Sequence, residues 1–95
     1  MQNEIDENAQ LEVNISNLYA TDIELVAFRT LIETGLGKNI SPISINFISN
    51  NKKGKKYEII FRVFEPTMFL QEKIQNWLYE AKLVGWNLKA TFVRP

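Results

Sequence analysis

Four stretches of this chain alternate apolar and polar side chains with the period of a strand. Two stretches between them repeat every three or four residues, the period of a helix. Leu11-Glu12-Val13-Asn14-Ile15-Ser16 is the first alternating run. Thr21 stands three residues before Glu24, the spacing of a capping box, and Asp22 adds negative charge at the positive end of a helix dipole. A helix through Ile23, Leu25, Ala27, Phe28, Leu31 and Ile32 follows, expected to close at Gly35 in the left-handed conformation with Leu36 packing back. Its apolar arc, about 200° wide, is more than a sheet alone needs. One flank is therefore expected to meet a second helix, with some of Leu25, Phe28 and Ile32 as candidates for exposure to a partner.

Pro42 pushes Ser41 toward an extended conformation, and Ile43, Ile45 and Phe47 then alternate with Ser44, Asn46 and Ile48. Asn50-Asn51-Lys52-Lys53-Gly54 is turn chemistry, and Tyr57 to Phe64 is rich in branched and aromatic residues, so the second and third strands form a hairpin. Glu65-Pro66 breaks the third strand, and Pro66 suits the first turn of a helix. From there Leu70, Ile74, Trp77, Leu78, Ala81 and Val84 form a stripe about 120° wide, ending at Gly85. Trp86, Leu88, Ala90 and Phe92 alternate with Asn87, Lys89, Thr91 and Val93 as a fourth strand.

The order β-α-β-β-α-β with right-handed crossovers predicts an α+β fold of the ferredoxin-like split β-α-β kind. This is a four-stranded antiparallel sheet with two helices on one face and the first and third strands central, in the order 4-1-3-2. The more apolar parity of each strand then places Val13, Ile15, Ile43, Ile45, Phe47, Tyr57, Ile59, Phe61, Val63, Trp86, Leu88 and Phe92 under the helices. The other face is polar and of mixed charge. This layout resembles the RNA-recognition-motif fold, and Val13-Asn14-Ile15-Ser16-Asn17-Leu18 is similar to that family's first-strand hexamer except at Asn14, where an aromatic is expected. The resemblance implies bases stacked on exposed aromatics of the two central strands. Lys55-Lys56-Tyr57-Glu58-Ile59-Ile60-Phe61-Arg62 departs from the family's third-strand octamer, lacking Gly at its second position and an aromatic at its fifth. Exposing Tyr57 and Ile59 would bury Glu58 and Arg62, so the parity argues against such a platform.

With 95 residues the chain supports one small core, expected over 11–95, behind an acidic tail over 1–10 that has too few apolar side chains to offset its ordering entropy. The amino terminus lacks the basic and then apolar pattern of a secretory signal, which points to the cytoplasm, where the acceptor triplets at Asn14 and Asn39 have no role. Ile, Lys and Asn supply roughly three residues in ten, as AT-rich coding DNA of a bacterium, phage or plasmid would give. Cysteine and histidine are both missing, which removes disulfides, the usual zinc sites, thiol nucleophiles and the commonest proton shuttle. No catalytic set, cofactor or metal site is expected. Gly35-Leu36-Gly37-Lys38 follows a helix, where a phosphate loop would precede one, and Ser49 and Lys52 lie on a solvated hairpin.

Two binding surfaces remain. Met68, Phe69, Tyr79 and Leu83 fall off the stripe of the second helix and are the candidates for a protein partner or a second copy of the chain. The alternative is weak nucleic-acid binding. Eleven basic and eleven acidic residues cancel, so any phosphate contact has to be local, made by Lys52, Lys53, Lys55 and Lys56 on the hairpin with Arg62 and Lys89 on the sheet. Trp77 and Trp86 lie on the stripe and the core parity and are expected to be buried. No membrane contact is expected.

Overall fold

The computed structural model describes residues 9–94. The elements follow in the order β1 (Gln10–Tyr19), α1 (Asp22–Leu36), β2 (Ser44–Asn51), β3 (Gly54–Val63), α2 (Leu70–Glu80) and β4 (Asn87–Val93). The strands form one open antiparallel sheet in the order β2-β3-β1-β4, so β1 and β3 are central. Of the acidic tail expected over 1–10, residues 1–8 lie outside the described residues, and Gln10 already opens β1 by pairing with Val93.

One parity of the central strands, Leu11, Val13 and Ile15 in β1 with Tyr57, Ile59, Phe61 and Val63 in β3, is buried. It joins Leu25, Phe28 and Ile32 of α1 and Leu70, Ile74 and Leu78 of α2 in a single cluster. This burial drives the fold. Period-two apolar faces on two central strands have nowhere to go but under the helical layer. The three α1 residues proposed for possible exposure are therefore core, and it is Ile23 and Val26, 83% and 63% exposed, that α1 turns to solvent. Ala27 is also exposed.

β1 gains length from a bulge. Asn17 sits at φ 57°, the register slips between Ile15 and Leu18, and the strand resumes with Leu18 opposite Tyr57 and Tyr19 opposite Lys56. The Asn17 side chain donates to the Gly85 carbonyl at 3.0 Å, and Tyr19 bridges to Val84, tying the end of β1 to the loop before β4. Asparagine tolerates this backbone region because its short polar side chain finds a local acceptor.

The helix ends differ from those the sequence suggests. The capping box is present, with Thr21 accepting from the Glu24 amide and Glu24 accepting from the Thr21 amide. α1 runs past Gly35 to Leu36, and Gly37, at φ 58°, takes the positive dihedral. Gly35 serves contact: a β-carbon there would lie 2.4 Å from the Trp77 ring, which needs the space where α1 meets α2. α2 starts at Leu70, four residues after Pro66, with Phe69 as its cap at φ 65° and no side-chain capping bond. It ends at Glu80, ahead of Gly85, in a left-handed turn at Lys82 (φ 63°). The Lys82 amide donates to Tyr79 and the Leu83 amide to Leu78, the two bonds of a Schellman motif. That motif brings the residue after the left-handed one onto the last helical turn, so Leu83 packs inward.

Candidate interaction surface

The central parity fixes the outer face of the sheet. With Tyr57 and Ile59 buried, the exposed side presents Glu12, Asn14, Glu58, Ile60, Arg62 and Lys89, and its aromatic on the central strands is Tyr19, half-buried at the end of β1 beyond the bulge. Arg62 lies 3.6 Å from Glu12, both about two-fifths exposed, and Asn14 reaches Glu58 at 3.5 Å. Arg62 thus spends its charge on a carboxylate directly across the ladder.

The hairpin lysines do not form one patch. Lys52 and Lys53 make the two-residue tip, held by the Asn51 side chain accepting from the Lys53 amide at 2.8 Å. Lys55 and Lys56 start β3 and point to opposite faces, as consecutive strand residues must. Lys53 and Lys55 line a groove of about 490 Å³ with Asp22 and Glu24, while Lys53 stands 6.0 Å from the Tyr19 ring. A phosphate entering that groove meets two carboxylates. Lys56 is half-buried on the other side, and Lys89 is on β4, two strands away. The structure therefore separates the six residues named for phosphate contact.

The apolar candidates divide as well. Leu83 is 3% exposed, leaving it no surface role, for the reason given by the Schellman turn. Met68, Phe69 and Tyr79 are 80%, 69% and 68% exposed. Met68 and Phe69, in the turn before α2, line an open groove of about 410 Å³ with Pro66, Leu11 and Phe92. Phe92 has the inward parity, opposite Leu11, yet is 68% exposed, because at the end of an edge strand neither helix covers it. Phe47 on the other edge fails as a core residue for the same reason, resting edge-on against Tyr57 with ring centroids 5.7 Å apart. Phe69 holds a left-handed backbone conformation, which costs a bulky residue about 1 kcal/mol or more, while showing its ring to solvent.

Tyr79 lies at the other end of α2 and packs edge-on against Trp86, centroids 5.6 Å apart. Trp86 is half-buried and donates its indole N–H to the Leu83 carbonyl, and Trp77 is half-buried against Gly35. Both tryptophans therefore belong to the edge of the core. Gln71, Gln75 and Tyr79 recur every four residues, so they share the flank of α2 that carries Tyr79 to the β4 side. The resulting strip has an apolar cluster at each end of β4: Met68, Phe69 and Phe92 at one, Tyr79 and Trp86 at the other. The sequence hid Phe92 because alternation reports which face a residue takes and says nothing of how far the cover extends.

Among the described residues, no three acidic side chains converge as a metal site would require, and no helix is long and apolar enough to cross a membrane. Comparison with protein-family models, with curated proteins and with solved structures gives no match.

Proposed function

We propose that the protein is a small non-catalytic protein-interaction module, an adaptor, regulator or assembly component built on the ferredoxin-like split β-α-β plan, and that it binds through the flank formed by β4 and α2. The observation that carries this reading is the exposure of Met68, Phe69 and Phe92 around one groove, with Phe69 strained to hold its place. Large apolar side chains scattered singly over a surface need no explanation, but three converging on one opening at the margin of a sheet are the ordinary signature of a contact surface. Aromatics dominate the energetics of such contacts.

Nucleic-acid binding is the weaker reading. Its support shrinks to Lys52 at the exposed tip, since Arg62 is paired and Lys53 and Lys55 share their groove with Asp22 and Glu24.

The test is affinity capture with the wild-type chain and with a Met68→Ser, Phe69→Ser, Phe92→Ser variant of unchanged circular dichroism. A specific partner, or a second copy of the chain, should be retained by the first and lost by the second. Equal retention by both would place the contact elsewhere.

A further inference from the structure

From the β4 flank, and resting on the reading just given, we infer that the occupant is a second copy of the same chain, bound strand to strand through β4 about a two-fold axis at Ala90. Two four-stranded sheets become one of eight.

Among the described residues β4 pairs with β1 alone, so half of its amide and carbonyl groups point away from the sheet, and its register against β1 runs unbroken from Asn87 to Val93. Such a strand is a template for another. The other edge, β2, slips register after Phe47, and a bulged strand makes a poor template.

An antiparallel pair of identical strands has a two-fold axis, and the residue on it is decided by charge and size. Ala90 is the middle of the seven-residue strand, so centring there pairs every residue. Lys89 then faces Thr91 of the second copy, whereas an axis at Lys89 would set two ammonium groups directly opposite, which is destabilising. Ala90 is also the smallest side chain in β4, letting the helical layers approach across the axis.

The helical side completes the match. With the axis at Ala90, Phe92 comes opposite Leu88 of the second copy. The Met68, Phe69 and Phe92 cluster comes over the other copy's Tyr79 and Trp86, because the two clusters lie at the two ends of β4. Each end supplies what the other lacks, twice per dimer, as an isologous interface requires. Met68, Phe69, Tyr79 and Phe92 are each between 68% and 80% exposed. At about 200 Å² per side chain they offer on the order of 600 Å² per copy, and a standard interface takes about 800 Å² per partner. The strand edges and Pro66 supply the remainder.

The chain has no cysteine, so single cysteines report the geometry cleanly. Wild type should sediment as a dimer at about 100 µM. Ala90→Cys should give a disulfide-linked dimer on mild oxidation, its β-carbons being roughly 5 Å apart across the axis, while Asn46→Cys on β2 should give no disulfide-linked dimer. Thr91→Lys should raise the dimer dissociation constant roughly tenfold through two like-charge pairs, and adding Lys89→Glu should restore it; both variants carry changes on exposed positions and should keep the wild-type spectrum. A monomer at that concentration overturns the inference, and so does a dimer that cross-links through Asn46→Cys. A monomer whose captured partner is lost with the Phe69 and Phe92 substitutions overturns self-pairing and leaves the β4 flank as a contact surface. A monomer that captures equally with or without them ends both.

Discussion

β2 and β4 leave the sheet open on its two sides and are guarded by different means. β2 runs Ser44–Asn51 without a charged residue and carries exposed Phe47 and Ile48, whereas β4 has Lys89 within Asn87–Val93. By charge alone, β2 is the more vulnerable edge. Geometry reverses the ranking, since β2 is bulged beside Phe47 and ends in a lysine tip, while β4 is regular and flanked by an apolar groove. An edge is closed by whatever spoils the next strand's hydrogen bonds, and a bulge does that as well as a charge.

Both flanks rest on one core. Removing Phe61, 1% exposed on β3, tests this most severely: Phe61→Ala should cost about 3–5 kcal/mol. Urea unfolding followed by far-ultraviolet circular dichroism and by tryptophan fluorescence, which reports the α2–β4 side, should give one coincident transition. Separate midpoints would mean that the flanks unfold independently.

The seam between the flanks is tested by Gly35. A methyl group there drives into the Trp77 ring, so Gly35→Ala should cost about 1–2 kcal/mol net of the roughly 1 kcal/mol that alanine gains in a helix. Trp77→Leu in the same background should recover part of the loss. At Gly37 no atom beyond its chain neighbours lies within 4 Å of a β-carbon, so Gly37→Ala should cost only the strain of a positive φ and be indifferent to Trp77. Thermal melts of these three variants, with Gly37→Ala combined with Trp77→Leu as a fourth, separate steric from conformational cost.

Thr21→Ala removes the capping box and should cost about 1 kcal/mol, raising amide exchange in the first turn of α1 while β4 stays unchanged. Faster exchange in β4 would show the two flanks to be coupled through α1.

Glu12→Gln is the mildest change, within about 0.5 kcal/mol because the ion pair is well solvated. It bears on the weaker reading. Three exposed lysines, Lys52, Lys53 and Lys55, limit the log–log salt slope of oligonucleotide binding to about −2.7. If Arg62 is held by Glu12, fluorescence anisotropy should steepen that slope by about one in Glu12→Gln. An unchanged slope would mean that Arg62 takes no part on either side.

The sequence by itself determined the order of elements, the buried parity of β1 and β3, and the capping box of α1, because periodicity and capping are local properties that no neighbour has to supply. Tyr57, Ile59, Phe61 and Val63 could be placed inward from their spacing alone. Only the tertiary structure decided where the helical cover stops. Phe47 and Phe92 have the parity of core residues and stand in solvent, since α1 and α2 are too few to roof the outer strands. Leu83 has the spacing of a surface residue and is buried, since Lys82 adopts a left-handed turn that residue preference assigns to glycine. The place of Gly35 is set by Trp77, forty-two residues away in sequence and in contact only once both helices share the sheet.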